Sequence, residues 1–326
     1  MRILIVGNCQ TSAFRDATQI WLPKAEIVHY SSASSATAAK AETIAASLPS
    51  FDVALIHPIQ EARFGPLQKS ALLQAIHSNV HLMPSLAFTG YQPDFVYISK
   101  PKGNPSVGPL GVCSSALAAA AFCEGLSVER TVRLFNSYVY SRLGYFSEFH
   151  SASKGLIKQL CAFGLDGSSI LNEWSGRSFM HTPIHPKAYA ISDLCHAILR
   201  KLDLIDDVSP ELGDTLGDRL INHPVWPVYP ELGSRVGVRG CLLFRRALPP
   251  PDGSALKVHN LSEFVEASFS HFSSFPAELA EISRSKAKIA RAVQFIRMEV
   301  RAGKDPSTLD CIGGHGPAHK AIPISA

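Results

Sequence analysis

The sequence predicts an α/β protein: a mostly parallel, doubly wound sheet in the N-terminal third, with a mainly helical remainder. Three observations predict it. Ile3, Leu4, Ile5 and Val6 form a continuous apolar run, not an alternating one, as suits a parallel strand covered on both faces. Short apolar runs then recur with helical segments between them, which is the rhythm of βαβ units. After Lys100 the texture changes, first to a loop dense in Pro and Gly and then to long helical stretches.

In chain order, residues 3–6 read as the first strand and 11–22 as a helix. Residues 26–30 are a second strand, 37–46 an alanine-rich helix, 53–57 a third strand, 66–77 a helix and 80–83 a fourth strand, with D-F-V-Y-I at 94–98 a further strand. Pro101 to Gly111 is the loop. Helices are expected at 112–123, 128–140, 151–163 and 189–202, and one or two more over 261–301. Ser127, following Gly125 and Leu126, is a natural N-cap between the first two of these. The chain is therefore expected to divide into a parallel α/β core at 1–105, a helical region at 106–302 packing over the sheet edge, and a tail at 303–326 without fixed order.

With 326 residues, 46% of them hydrophobic and 18% charged, the chain can bury a sizeable core as a globular protein. A net charge of +4 is too mild to demand a polyanion, so no nucleic-acid partner is expected, while small anionic ligands fit. Four aliphatics before Gly7 fall short of a signal peptide's apolar core, and the longest apolar stretch, 116–123, is about half a membrane span. A cytoplasmic location without a membrane span is expected. The seven cysteines contain no C-x-x-C pair, which fits reduced thiols and offers neither a zinc site nor a disulfide framework, so no metal is expected.

The first strand ends abruptly on Gly7, Asn8, Cys9 and Gln10, where open α/β sheets collect ligands and helix N–H groups point outward. A cysteine there feels the positive end of the helix dipole, which lowers its pKa and makes it a better nucleophile. The N–H groups of Cys9 and Gln10, with the side-chain amide of Asn8, could hold an oxyanion. The plainer alternative is a small residue filling a tight turn. Neither G-x-G-x-x-G nor G-x-x-x-x-G-K-[ST] occurs, so no dinucleotide or nucleoside triphosphate site is signalled.

I-L-I-V-G-N-C-Q at 3–10, P-S-L-A-F-T-G-Y-Q-P-D at 84–94, G-L-S-V-E-R at 125–130 and T-P-I-H-P at 182–186 resemble the WcbI-like polysaccharide biosynthesis proteins, associated with capsule formation. The resemblance runs from residue 1 to about residue 235 and is strongest in the first hundred. It implies an SGNH/flavodoxin-like sheet in which G-N-C replaces the nucleophile turn of SGNH hydrolases, acetyltransferase activity, and coenzyme A as acyl donor. Gln92 departs from the Y-H-P-D that the family would place where this chain has Y-Q-P-D.

A nucleophilic Cys9 needs a base. His185 is the first choice because H-P at 185–186 ends an extended segment ahead of a helix, and His223 in N-H-P-V-W-P is the second. His29 and His57 stand at strand ends on the same edge as Cys9. No D-x-x-H precedes His185 or His223, so the third member of a triad is left open. K-P-K-G-N at 100–104 sets Lys100 and Lys102 in a loop that could meet phosphates; Arg15 in the first helix is a further phosphate partner, and Gly7 lies where a cofactor would approach. Two classes of function follow: an acyltransferase acting on a sugar hydroxyl, with an esterase or thioesterase as its hydrolytic variant, or a non-catalytic protein that binds coenzyme A or a glycan. The sequence names neither the acceptor sugar nor an oligomeric state.

Overall fold

In the computed structural model the described residues are 1–75, 78–99, 101–104, 107–206, 210–248 and 258–304. The chain begins with β1 (Arg2–Gly7), α1 (Thr11–Trp21), β2 (Glu26–Ser31), α2 (Ser35–Ala39), α3 (Ala41–Ser47), β3 (Val53–Ile56), α4 (Lys69–Ala75) and β4 (Val80–Leu82). The expected helix at 37–46 is two short helices that break at Lys40. Gly65, with a φ of 42°, and Pro66 break the expected helix at 66–77, so α4 starts only at Lys69; His77 lies outside the described residues.

The strands form one parallel sheet in the order β2-β1-β3-β4. Leu4, Val6, Ala54 and Ile56 are buried from one face with Ala41 and Ile44 of α3, while the pleat sends Ile3, Ile5 and Leu55 to the other. That second face is covered by α1, which packs on β1 and β2 through a stripe of Ala13, Phe14, Ala17 and Trp21. Coverage on both faces is why β1 reads as unbroken aliphatics. From β1 the chain steps outward to β2, then crosses back to β3 on the other side. The sheet therefore reverses direction between β1 and β3, and the crevice beyond their C-terminal ends is where such sheets place ligands.

The chain continues through β5 (Phe95–Tyr97), β6 (Cys113–Ser115), α5 (Ala116–Cys123), α6 (Val128–Arg133), α7 (Ser137–Arg142), α8 (Tyr145–Ala162), α9 (Gly167–Glu173), β7 (Met180–Thr182), β8 (His185–Pro186) and α10 (Ala188–Lys201). Then come α11 (Pro230–Arg235), β9 (Phe244–Arg245), β10 (Val258–His259), α12 (Leu261–Phe272), α13 (Pro276–Ser285) and α14 (Ala287–Arg301). The D-F-V-Y-I strand is no part of the parallel sheet: β5 pairs antiparallel with β6, so the helix expected from 112 starts at Ala116, its first turn capped by Ser115. Ser127 caps α6 as expected, but Asn136 caps a new helix and divides the span 128–140. The segment 261–301 makes three helices, the first opened by a reciprocal capping box of Asn260 and Glu263 and the second by Pro276. The tail expected from 303 lies outside the described residues from 305 onward.

A cut at residue 105 divides the chain by texture; by contacts it divides into two discontinuous compact units. The first comprises 1–87, 154–174 and 184–220, and holds the parallel sheet with α1 packed on α10. The second comprises 88–153, 175–183 and 221–326, where α14, α12 and α13 pack around the wholly buried alanines of α5.

Candidate active site

Gly7 is the last residue of β1 and Thr11 the first of α1, so G-N-C-Q is the whole connection at the switch point. Its polar groups are committed almost completely. The Asn8 carbonyl accepts from Thr11 N (3.1 Å) and Thr11 Oγ1 (2.6 Å), and the Asn8 side-chain Oδ1 accepts from Gln10 N (3.0 Å). The expected oxyanion role of the Gln10 N–H is therefore corrected: Asn8 already holds that donor. The Cys9 N–H lies against its own sulfur. The Asn8 side-chain NH₂ has no partner among the described residues and is half-buried.

Cys9 is half-buried. Burial pushes its thiol above the ordinary value, with the hydrogen bond from its own backbone acting the other way. The expectation of a depressed pKa is thus overturned: loss of water around the sulfur outweighs the helix-end donors. The ligand-free resting state is the thiol.

His57 follows β3 directly, its N–H bonded to Val6 O (2.8 Å) across the switch point. Its ring Nδ1 accepts from Asn8 N (3.3 Å). The ring is 3% exposed, stands edge-on to Phe14 at 5.5 Å between centroids, and burial alone drives its pKa down to about 3. It is a neutral imidazole with the proton on Nε2. A β-carbon at Gly7 would sit 2.3 Å from Nδ1, so Gly7 is there to admit the ring. That accounts for Gly7 without a cofactor.

Gln10 is 1% exposed, and its amide is used at both ends. Nε2 donates to Leu86 O (2.7 Å) and Ile184 O (2.9 Å), while Oε1 accepts from Leu86 N (3.0 Å). One side chain thus ties the turn to the residue that precedes His185. Cys9 and His185, 176 positions apart in the chain, are each next in sequence to a partner in that clamp. His185 is buried at the start of β8.

Other expected site residues are placed differently. Arg15 forms an ion pair with Asp16 (2.6 Å), which also pairs with Arg219, so one carboxylate is shared by two guanidinium groups. His29, at the end of β2, is held below its ordinary pKa by burial and then by Arg15. Lys102 and His223 belong to the second unit, Lys102 in an exposed turn and His223 in a surface loop, where partial desolvation of the ring lowers its pKa; Lys100 lies outside the described residues. Among the described residues no group of three His, Cys, Asp or Glu side chains could hold a metal ion, and no helix is long and apolar enough to cross a membrane.

The second unit explains Y-Q-P-D structurally. Asp94 is wholly buried and accepts from Tyr145 Oη (2.8 Å), Tyr229 Oη (2.8 Å) and Leu117 N (2.9 Å), the last near the N-terminus of α5, where the helix dipole favours a carboxylate. Burial, then the Asp94 charge, raises both tyrosines well above their usual range. Gln92 donates to Trp226 O (3.4 Å) from a buried position. Sequence reasoning missed both this anchor and the Gln10 clamp; the signal for Asp94 was a carboxylate set between Pro93 and Phe95, and Gln10, between Cys9 and Thr11, carried none.

A family model for the polysaccharide biosynthesis enzyme WcbI matches residues 2–207. Among solved structures, one similar chain is described as native WcbI, a novel polysaccharide biosynthesis enzyme, without a disulfide bond between coenzyme A and one of its cysteines. It is 14% identical with a TM-score of 0.54, and 94% of this chain and 99% of that one are covered. At this identity the likeness is one of fold. No curated protein matches the chain.

Proposed function

Because this chain belongs to the WcbI family of polysaccharide biosynthesis enzymes, we propose that it moves an acyl group, acetyl in the simplest case, from a coenzyme A thioester to a sugar hydroxyl. The observation that carries the reading is the Gln10 clamp, which joins the Cys9 turn to the His185 segment at the β1/β3 switch point. The WcbI structure is described as being without a disulfide bond between coenzyme A and one of its cysteines; carried to this chain, that cysteine would be Cys9. Cys113 and Cys195 are buried with thiols pushed up to about 12, Cys161 in α8 and Cys241 are exposed, and half-buried Cys123 is the last residue of α5; none of these stands at a strand-to-helix turn of the parallel sheet.

The turn fits a thioester better than a diphosphate. The Cys9 N–H, whose contact is with its own sulfur, and the Asn8 side-chain NH₂ are the donors it holds for a ligand, and both suit a carbonyl oxygen gaining charge. On the phosphate side Arg15 and Arg219 share the single carboxylate of Asp16, and the reading assigns the positive charge left over to the diphosphate. Coenzyme A, when bound, supplies an activated acyl group. His185 takes the Cys9 proton, and the thiolate attacks the acyl carbon. The carbon–sulfur bond to the donor breaks as the Cys9 thioester forms, and His185 gives its proton to the departing thiolate and is neutral again. In the second half His185 removes the proton of the sugar hydroxyl, the oxygen attacks the Cys9 thioester, and Cys9 leaves as a thiolate that takes the proton back from His185. His57 cannot be that base: its Nδ1 is occupied and its basicity is suppressed.

Intact-protein mass spectrometry with acetyl-coenzyme A tests this. An added acetyl group on the chain, absent in Cys9→Ser and discharged by an acceptor sugar, is expected. Discharge by water at the same rate would make the protein a thioesterase, and neither acylation nor turnover would leave a binding protein.

A further inference from the structure

We propose that His57 is the positioning residue of the nucleophile turn, acting as a permanent hydrogen-bond acceptor that holds the Asn8 peptide and so decides which donors face the substrate. The inference rests on the acyl-transfer reading for its consequence but on geometry for its substance. Nδ1 can accept from Asn8 N–H only while it carries no proton, which leaves the proton on Nε2. Nε2 is buried and has no partner among the described residues. A residue serving only to fill this space would be cheaper as an aliphatic, since a buried N–H left unpaired opposes folding. What the imidazole adds is the acceptor.

Two further observations support this role. Gly7 leaves no room for a β-carbon, 2.3 Å from Nδ1, so the strand end is shaped around the ring. Burial also keeps the ring neutral across the physiological range, so the acceptor never switches off. With Asn8 N–H held by His57 and Gln10 N–H held by Asn8 Oδ1, the turn presents only the Cys9 N–H and the Asn8 NH₂. The first of these also lies against the Cys9 sulfur and favours its thiolate. Releasing the Asn8 peptide would loosen that contact.

The test uses the full chain with His57→Leu, which keeps bulk and loses the acceptor, and His57→Asn, whose side-chain oxygen replaces Nδ1. The readout is the pH midpoint of Cys9 alkylation by iodoacetamide, resolved by peptide mass spectrometry, with nitrogen NMR of His57 in the wild type. We expect an Nε2–H tautomer that does not titrate between roughly pH 5 and 8, a midpoint raised by about one unit in the Leu variant, hence about tenfold slower alkylation at fixed pH, and return toward the wild-type midpoint in the Asn variant. A folded Leu variant with an unchanged midpoint, or an Nδ1–H tautomer, overturns the proposal. Should the Leu variant not fold, the Asn variant decides: a tenfold slowing there also overturns it. Because alkylation needs no acyl donor, a wild-type protein that passes this test yet never acylates would refute the transfer reading alone.

Discussion

Replacing Gln10 by Met removes three hydrogen bonds while keeping nearly the same volume, which isolates the clamp from cavity formation. The Gln10 amide pairs with both backbone groups of Leu86 and with the carbonyl of Ile184, at 2.7, 2.9 and 3.0 Å. Leu86 is 1% exposed, so water cannot take over its two bonds; Ile184 is only half-buried and can regain part of its own. At about 1–3 kcal/mol for each buried group left unsatisfied, two full losses and one partial loss come to about 4 kcal/mol. That is a large share of the roughly 5–15 kcal/mol of a typical domain. Urea unfolding should show a lower midpoint with an unchanged slope. Acyl transfer by the folded fraction should fall as well, since the clamp ties the turn to the residue before His185. A loss below about 1 kcal/mol would mean that Leu86 and Ile184 are held by packing, and the clamp would lose its place in the argument.

Acid should weaken the first unit through His57: its folded pKa of about 3 lies below the ordinary 6.5, so the unfolded chain takes the proton first and stability drops as pH falls from about 6.5 toward 3. At pH 5 the loss is about 2 kcal/mol, and the stability difference between wild type and His57→Asn should shift by about that amount from its value at neutral pH; a difference that is the same at all pH values would refute it. In ligand-free protein near neutral pH, Cys9 should alkylate more slowly than exposed Cys161 and Cys241, because burial raises its thiol, and faster reaction at Cys9 would mean the helix end prevails after all. Asp94→Asn should cost about 2–4 kcal/mol, since an amide cannot accept from two tyrosine hydroxyls and Leu117 N–H as a carboxylate does. Thermal unfolding measures it, and a loss under about 1 kcal/mol would show the tyrosines pairing elsewhere.

Much of the fold was legible because its signals are local. An unbroken aliphatic run, then helical spacing, then another run specify a parallel sheet, and β1 to β4 form where the pattern places them. The pattern failed where pairing or capping overrode it. Residues 113–115 look helical but are drawn into β6 by Phe95–Tyr97, and Asn136 divides one apparent helix by offering a better cap than continuation. At the site, Cys9 at a strand-to-helix turn could be read directly. Its protonation could not, because the competing contribution, desolvation, depends on which atoms surround the sulfur.

By itself, then, the sequence determined the parallel sheet, the position of G-N-C-Q at its edge and the candidacy of Cys9 and His185. Each follows from residues within a few positions of one another. Only the tertiary structure decided that Gln10 is a clamp and not a donor, that His57 holds Asn8 and Gly7 makes way for it, and that Asp94 anchors a helix. Those roles join residues 49, 76, 174 and 135 positions apart. Hydrogen bonds act over about 3 Å of space, and no local periodicity records which distant groups folding will bring that close.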